Sequence, residues 1–305
     1  MLAKTPKQTR LAVVSLVVLA AILMIVWVPF ISFDMVNPIV TYQQQRIEKF
    51  TAEGNPQAPL LTYTVWLVSF FYPFWGTLSV VAGLILLVIA VPLYRGEKWT
   101  RGLALLCLAI PSMGGAYMIV PWMNFVGSVE GGFPPAVITM TIGLIPYFAI
   151  LLAEKVDLSQ KVVEFLVFLM LGVTAAEDFA NGHAAFRILF GHPKRPLFAE
   201  GIAITYFGWL ALWVGMALCI AAIYLLGQKK ISGWYAGLIG GLVTIVASGA
   251  THYVRHATND YLYGALMGLS LVVMFLIPFF KQRLVEQSVE KETPISNVVL
   301  EPKTA

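Results

Sequence analysis

Apolar residues along this chain come in long unbroken blocks, not in the alternation of a half-buried strand or the single stripe of a surface helix. The blocks cover roughly residues 11–33, 64–94, 102–122, 135–153, 162–183, 201–227, 233–254 and 262–280. Each is near or beyond the ~20 residues that cross a bilayer core. Backbone polar groups in lipid must be satisfied within the segment, so spans of this length are helices. The pattern predicts an all-α, polytopic membrane helix bundle of about eight transmembrane helices. Trp66, Tyr72, Trp75, Trp122, Trp209 and Tyr253 lie near block ends, where interfacial aromatic residues gather. Between the first two blocks, residues 34–63 are expected to form a polar outer loop. Residues 284–305 carry two prolines in a polar run and are expected to be a disordered cytoplasmic tail.

The basic residues set the orientation. With the N-terminus inside, Lys4, Lys7, Arg10, Arg95, Lys98, Arg101, Lys155, Lys161, Lys229, Lys230, Lys281, Arg283, Lys291 and Lys303 are cytoplasmic. Only Arg46, Lys49, Arg187, Lys194, Arg195 and Arg255 fall outside. This bias predicts an even number of spans in a cell (inner) membrane, with both termini cytoplasmic. The first block resembles a signal peptide in its basic start. However, Leu11 to Phe33 is too long for a typical signal core and has no small-x-small cleavage site, so it is expected to stay as a helix.

Composition agrees with the block pattern. Of 305 residues, 59% are hydrophobic and 12% charged, and the mean hydropathy is +0.80. Soluble domains carry roughly a quarter charged residues. The net charge of +4 belongs to the topology signal and implies no nucleic-acid partner; the expected partners are the bilayer and subunits of a membrane complex. Cys107 and Cys219 both fall inside apolar blocks, so no disulfide framework is expected.

A shift of 132 residues superposes Gly76 on Gly208, Gly83 on Gly215, Leu86 on Leu218, Ala90 on Ala222 and Lys98 on Lys230. Both windows place a basic turn between two apolar blocks. This predicts two tandem four-helix units, as in membrane folds built from parallel repeats: residues 1–160, and residues 161–283 with most of the polar chemistry.

That chemistry is unevenly placed. His183, His192, His252 and His256 are all the histidines of the chain, and all fall at outer block ends of the second half. Glu177, Asp178, Arg187, Lys194, Arg195, Arg255 and Asp260 join them. Glu177 and Asp178 lie ~24 Å along their helix from Lys161 at 1.5 Å per residue, a depth where a carboxylate needs protein, water or a partner. Arg187 and Arg255 are the natural partners, and proton handling or metal ligation are the sharper readings. His252, His256 and Asp260 are spaced i, i+4, i+8, one stripe if the helix is continuous. With His183 and Asp178 they would offer nitrogen and oxygen metal ligands. Against continuity, Asn259 or Asp260 suits the N-cap of the last span.

His256-Ala-Thr-Asn-Asp260-Tyr-Leu-Tyr-Gly264-Ala-Leu-Met-Gly268 resembles the last signature of the phosphatidic acid phosphatase type 2 family. The run Arg187 to Lys194-Arg195-Pro196 is similar to that family's basic first signature. The resemblance implies a lipid-phosphate hydrolase with His256 as nucleophile and Asp260 as its orienting partner. Arg187, Lys194, Arg195 and Arg255 would then bind phosphate, and His183 or His252 would be the acid. Ala250 stands where the family has an arginine, and Ala199-Glu200-Gly201-Ile202 lacks the expected histidine. Asn181-Gly182-His183-Ala184 is similar to that missing signature but precedes the basic run. Gly191-His192-Pro193-Lys194-Arg195 also resembles an outer turn in the membrane anchors of polysulfide and dimethyl-sulfoxide reductases, which handle quinol. No bis-His spacing for haem is present. Four readings follow: an enzyme acting on a lipid phosphate or other amphiphile, a quinone-binding or structural subunit of a respiratory complex, a metal-binding membrane protein using His183, His252, His256 and Asp178, and an interfacial cluster with no chemistry.

Overall fold

The computed structural model describes residues 5–56, 58–190, 202–256 and 258–285. Among them every regular element is a helix. The chain runs α1 (Lys7–Val26), α2 (Val28–Ala52), α3 (Ala58–Arg95), α4 (Lys98–Trp122), the short turn α5 (Ser128–Glu130), α6 (Ala136–Ala153), α7 (Leu158–Phe190), α8 (Ile202–Gly227), α9 (Ile231–Val254), α10 (Asp260–Leu276) and α11 (Pro278–Leu284).

Among the described residues, six helices are long and apolar enough to cross a membrane, or seven if the bent pair α10 and α11 counts as one span. Between 33% and 61% of each apolar stretch is buried inside the bundle. The remainder points outward: Phe70, Val88, Val214, Val246 and Leu266 are all exposed. A helix apolar on every side is stable only where its surroundings are apolar too. The chain is a multi-pass membrane protein. The helix α7, which carries Glu164, Glu177 and Asp178 along its length, is not among the six.

The expected outer loop 34–63 is mostly helix. The first apolar block breaks at Trp27, ahead of Pro29, and α2 continues through Ala52. Val28, Ile31, Ser32, Met35, Val36, Ile39 and Gln43 are its buried residues, a three-to-four spacing that makes one helical stripe. That stripe lies along α3, while α1 packs on the other end of α3. Gly76 faces Ser32 and Gly83 faces Ala21, so small residues let the long hairpin close. The 38 residues of α3 extend ~57 Å at 1.5 Å per residue, well beyond a bilayer core of ~30 Å.

Neighbour relations fall into two sets. The helices α1 and α2 pack on α3, α3 on α4, α4 on α6, and α1 returns to α6. In the second set α7 packs on α8, α8 on α9, α9 on α10, and α10 returns to α7. The sets meet mainly where α4 touches α7 and α8. Equivalent turns end α3 and α8. In the first, Gly96 is left-handed at φ 77°, with Gly96 N–H donating to Leu93 O and Glu97 N–H to Pro92 O. In the second, Lys229 is left-handed at φ 61°, with Lys229 N–H donating to Leu226 O and Lys230 N–H to Leu225 O. Such a turn satisfies the last carbonyls of a helix.

Candidate functional site

At the end of the bundle opposite Arg95 and Lys229, a cavity of about 400 Å³ opens between α3, α4, α7 and α10. Glu177, Asn181, His183 and Arg187 reach it from α7, Tyr117 from α4, and Asp260 from the start of α10. The spacing 177, 180/181, 184, 187 puts one face of α7 on the cavity. On the far wall Pro121 precedes a π-helical turn, Met123–Gly127, which brings Asn124 and Phe125 to the rim.

His183 is held on several sides. Its Nδ1 shares a short hydrogen bond with the Tyr117 hydroxyl, and its ring lies 5.2 Å from the Phe71 ring. Phe179 and Trp213 stack at 5.9 Å and complete the aromatic wall. The ring is therefore oriented by packing and by one polar partner. Asn181 donates from Nδ2 to Glu177 Oε1 at 3.2 Å and to the Asp260 backbone carbonyl at 3.2 Å. Tyr261 donates to the Asn181 carbonyl at 3.3 Å, and Arg255 Nη1 donates to the Tyr261 hydroxyl at 3.3 Å. These bonds dock the start of α10 against α7.

A second, apolar cavity of about 250 Å³ lies deeper, between α4, α6 and α7. Met113, Met140, Leu144, Phe148 and Gly172 are among its lining residues. The two cavities share Tyr117, Val120, Glu177 and Ala180. A polar chamber thus adjoins an apolar slot, with a carboxylate at their junction.

The structure brings His183, Arg187, Glu177 and Asp260 to one cavity but does not bring all the expected residues there. Glu177 and Asp178 are adjacent on a helix and point about 100° apart, so Asp178 faces α8 and α9 instead. Their partners are Asn181 and Thr244 where Arg187 and Arg255 were expected. His252 lies in the last turn of α9, which ends at Val254, and His256 is exposed in the link to α10. The break removes the i, i+4, i+8 stripe. Asn259 occupies the N-cap position of α10 but makes no side-chain capping bond; Thr258 instead donates to Asp260 Oδ2 at 2.9 Å. Lys194, Arg195 and the rest of the basic turn lie outside the described residues, as does the tail beyond residue 285. Among the described residues, no group of three or more His, Cys, Asp and Glu side chains is placed to hold a metal ion.

Sequence reasoning missed Tyr117, which lies within an apolar block, and read Asn181 only as part of a signature-like run, not as the partner of Glu177. It also missed a polar cluster at the opposite end. There Arg101 donates to Glu154 at 2.5 Å, to Glu164 at 2.6 Å and to the Gly227 carbonyl at 2.8 Å. Lys229 pairs with Glu164 as well. Gln160 donates to Glu164 at 3.0 Å. The signal was a carboxylate, Glu164, one turn inside an apolar block.

No family model, curated protein or solved structure matches this chain.

Proposed function

We propose that this protein holds an amphiphile at the outer side of the membrane, its headgroup in the polar cavity and its chain in the apolar slot. The observation that carries this reading is the sharing of Tyr117, Val120, Glu177 and Ala180 by the two cavities. Binding sites are commonly apolar clefts with a few placed polar groups, and this pair has that composition in two adjoining parts. In this reading the chain makes eight passes as two four-helix units with both termini cytoplasmic, and α7 is a span shielded by its neighbours.

The finer form is turnover of a lipid phosphate. Arg187 would bind phosphate oxygens, because guanidinium and phosphate match in charge and geometry. His183, oriented by Tyr117, would move a proton, with His256, on the link before α10, as nucleophile and Asp260 as its partner. A second headgroup chemistry, a quinone, is favoured by one observation. The Tyr117–His183 pair stands among aromatic rings, a setting suited to a flat, hydrogen-bonding head.

The test is mass spectrometry of lipids retained by protein purified in mild detergent, followed by saturable thermal shifts with the retained class. A retained amphiphile lost in His183→Ala supports the reading. Loss in Arg187→Gln marks an anionic head, and loss in Tyr117→Phe a carbonyl-bearing one. No retained amphiphile and no saturable shift across phospholipids, lipid phosphates and quinones defeats it.

A further inference from the structure

Behind the cavity wall, two helices of the second set face each other with polar residues at matching intervals. Thr174, Asp178 and Asn181 lie on α7, and Thr244, Ser248 and Thr251 lie on α9. Both triplets are spaced i, i+4, i+7, which places each on one helix face. All six are buried, and five of them are 0% exposed. Hydroxyls and a carboxylate in that position are costly unless something satisfies them.

Glycines make room at each level. A Cβ on Gly215 of α8 would stand 2.7 Å from Asp178 Oδ2 and 3.2 Å from Thr244 Oγ1. A Cβ on Gly264 of α10 would stand 2.7 Å from Ser248 Oγ and 3.1 Å from Asn181 Nδ2. Gly208 faces Thr251 in the same way. The seam therefore runs from Thr174 outward to Asn181, and Asn181 lines the outer cavity.

Within the seam, the Thr244 hydroxyl donates to Asp178 Oδ2 at 2.7 Å. The other carboxylate oxygen, Oδ1, has no partner among the described residues, and neither do the hydroxyls of Thr174, Ser248 and Thr251. The titratable groups near Asp178 are Glu177 on its own helix and the Cys219 thiol on α8. The α9 and α10 helices meet the seam with hydroxyls and glycine. Among the described residues, no cationic side chain pairs with the carboxylate. A buried carboxylate without a fixed counter-charge is costly in its charged form, and a cation that reaches it removes that cost.

We propose that Asp178 is a proton-binding site, filled and emptied from the outer cavity along Ser248, Thr244 and Asn181. The proton arrives from hydronium in the cavity water, whose O–H bond breaks and leaves water behind as an O–H bond forms on a carboxylate oxygen, and the site goes from one negative charge to neutral. Asn181 donates to Glu177 at the cavity and lies beside Ser248 where both face Gly264, so the seam reaches the cavity wall. The proposal does not depend on what the cavity binds.

Infrared spectroscopy of wild-type protein in lipid nanodiscs, with carboxyl-labelled aspartate, tests it. The chain has four aspartates, Asp34, Asp157, Asp178 and Asp260, and only Asp178 is buried. The expected result is one protonated aspartate carbonyl band in an apolar setting. It titrates reversibly with pH, shifts in D₂O, and is lost in Asp178→Asn. Exchange into D₂O is expected to slow in Ser248→Ala, whose fold makes no other demand on the hydroxyl. A labelled wild type without such a band overturns the proposal, even if Asp178→Asn fails to fold. A band abolished by sodium at constant pH overturns it in favour of a metal cation, and unchanged exchange in Ser248→Ala overturns the path.

Discussion

The guanidinium of Arg101 on α4 and the carboxylate of Glu164 on α7 meet at 2.6 Å, with both side chains almost wholly buried. Through this contact the two sets of helices are joined at the end opposite the polar cavity. Glu154 closes the pair from α6, and Lys229 closes it from the turn between α8 and α9. Two cations and two carboxylates balance, which is the condition for burying such a group.

Removing the hub should therefore be costly. Arg101→Met leaves two buried carboxylates sharing one lysine, and losses of about 3–5 kcal/mol are typical when a buried pair is broken. Thermal unfolding in detergent should show a clear drop in midpoint. Arg101→Lys should recover only part of it, because an ammonium cannot reach Glu154, Glu164 and the Gly227 carbonyl as a planar fork does.

The same junction depends on close backbone approach. A Cβ on Gly227 would stand 2.6 Å from Gly102 Cα, so neither glycine has room for a side chain. Gly227→Ala should separate α4 from α8 and destabilise by about 1–3 kcal/mol, the usual cost of overpacking. Equilibrium unfolding in detergent measures it, and an unchanged stability would show that the helices can shift freely.

Filling the apolar slot should separate binding from folding. A Cβ on Gly172 meets nothing within 4 Å, yet Gly172 lines the slot. Gly172→Leu should abolish amphiphile retention while keeping or raising the unfolding midpoint, since leucine also favours helix over glycine by roughly 1 kcal/mol. Retained lipid in this variant would remove the slot from the binding site.

At the cavity end of the bundle, Tyr42 on α2 donates to Glu130 Oε1 at 2.5 Å. The hydrogen bond and the negative charge of Glu130 raise the phenol's pKa above its ordinary value. The bond is thus fully present below the pKa of an unfolded tyrosine and is lost as pH rises through the higher folded value. Alkaline ultraviolet titration should show one tyrosine whose late ionisation moves earlier in Glu130→Gln. A titration identical in the two proteins would show that the pair does not form in solution.

Orientation is open to direct labelling. Cysteines at the exposed positions Thr51 and Thr258, in a background without Cys107 and Cys219, should react with a membrane-impermeant maleimide added outside intact cells. A cysteine at Glu97, at the other end of α3, should react only after permeabilisation. Labelling of Thr51 and Thr258 from opposite faces would contradict the eight-pass arrangement.

The helical stripe of α2 was readable from residues 28 to 43, yet the polar run Tyr42-Gln43-Gln44-Gln45-Arg46 suggested a loop. Polarity there belongs to the exposed side of a helix packed along α3, and length alone could not distinguish the two. The adjacent acids Glu177 and Asp178 were visible as a pair. Their division between a cavity and a seam depends on helix rotation, which is set by α8, α9 and α10 together.

From sequence alone, the membrane class and the apolar helices were determined, because hydropathy acts over a few neighbouring residues, whereas the helix α2 and the breaks at Trp27 and Ile277 were not. Gly96 and the link after Val254 interrupt the blocks where local geometry requires it. Only the tertiary structure decided that Arg101 serves Glu154 and Glu164, that Tyr117 holds His183, and that Asp178 lies among hydroxyls. Each of those partners is more than 50 residues distant in the chain, and contact at that separation arises from how whole helix faces pack.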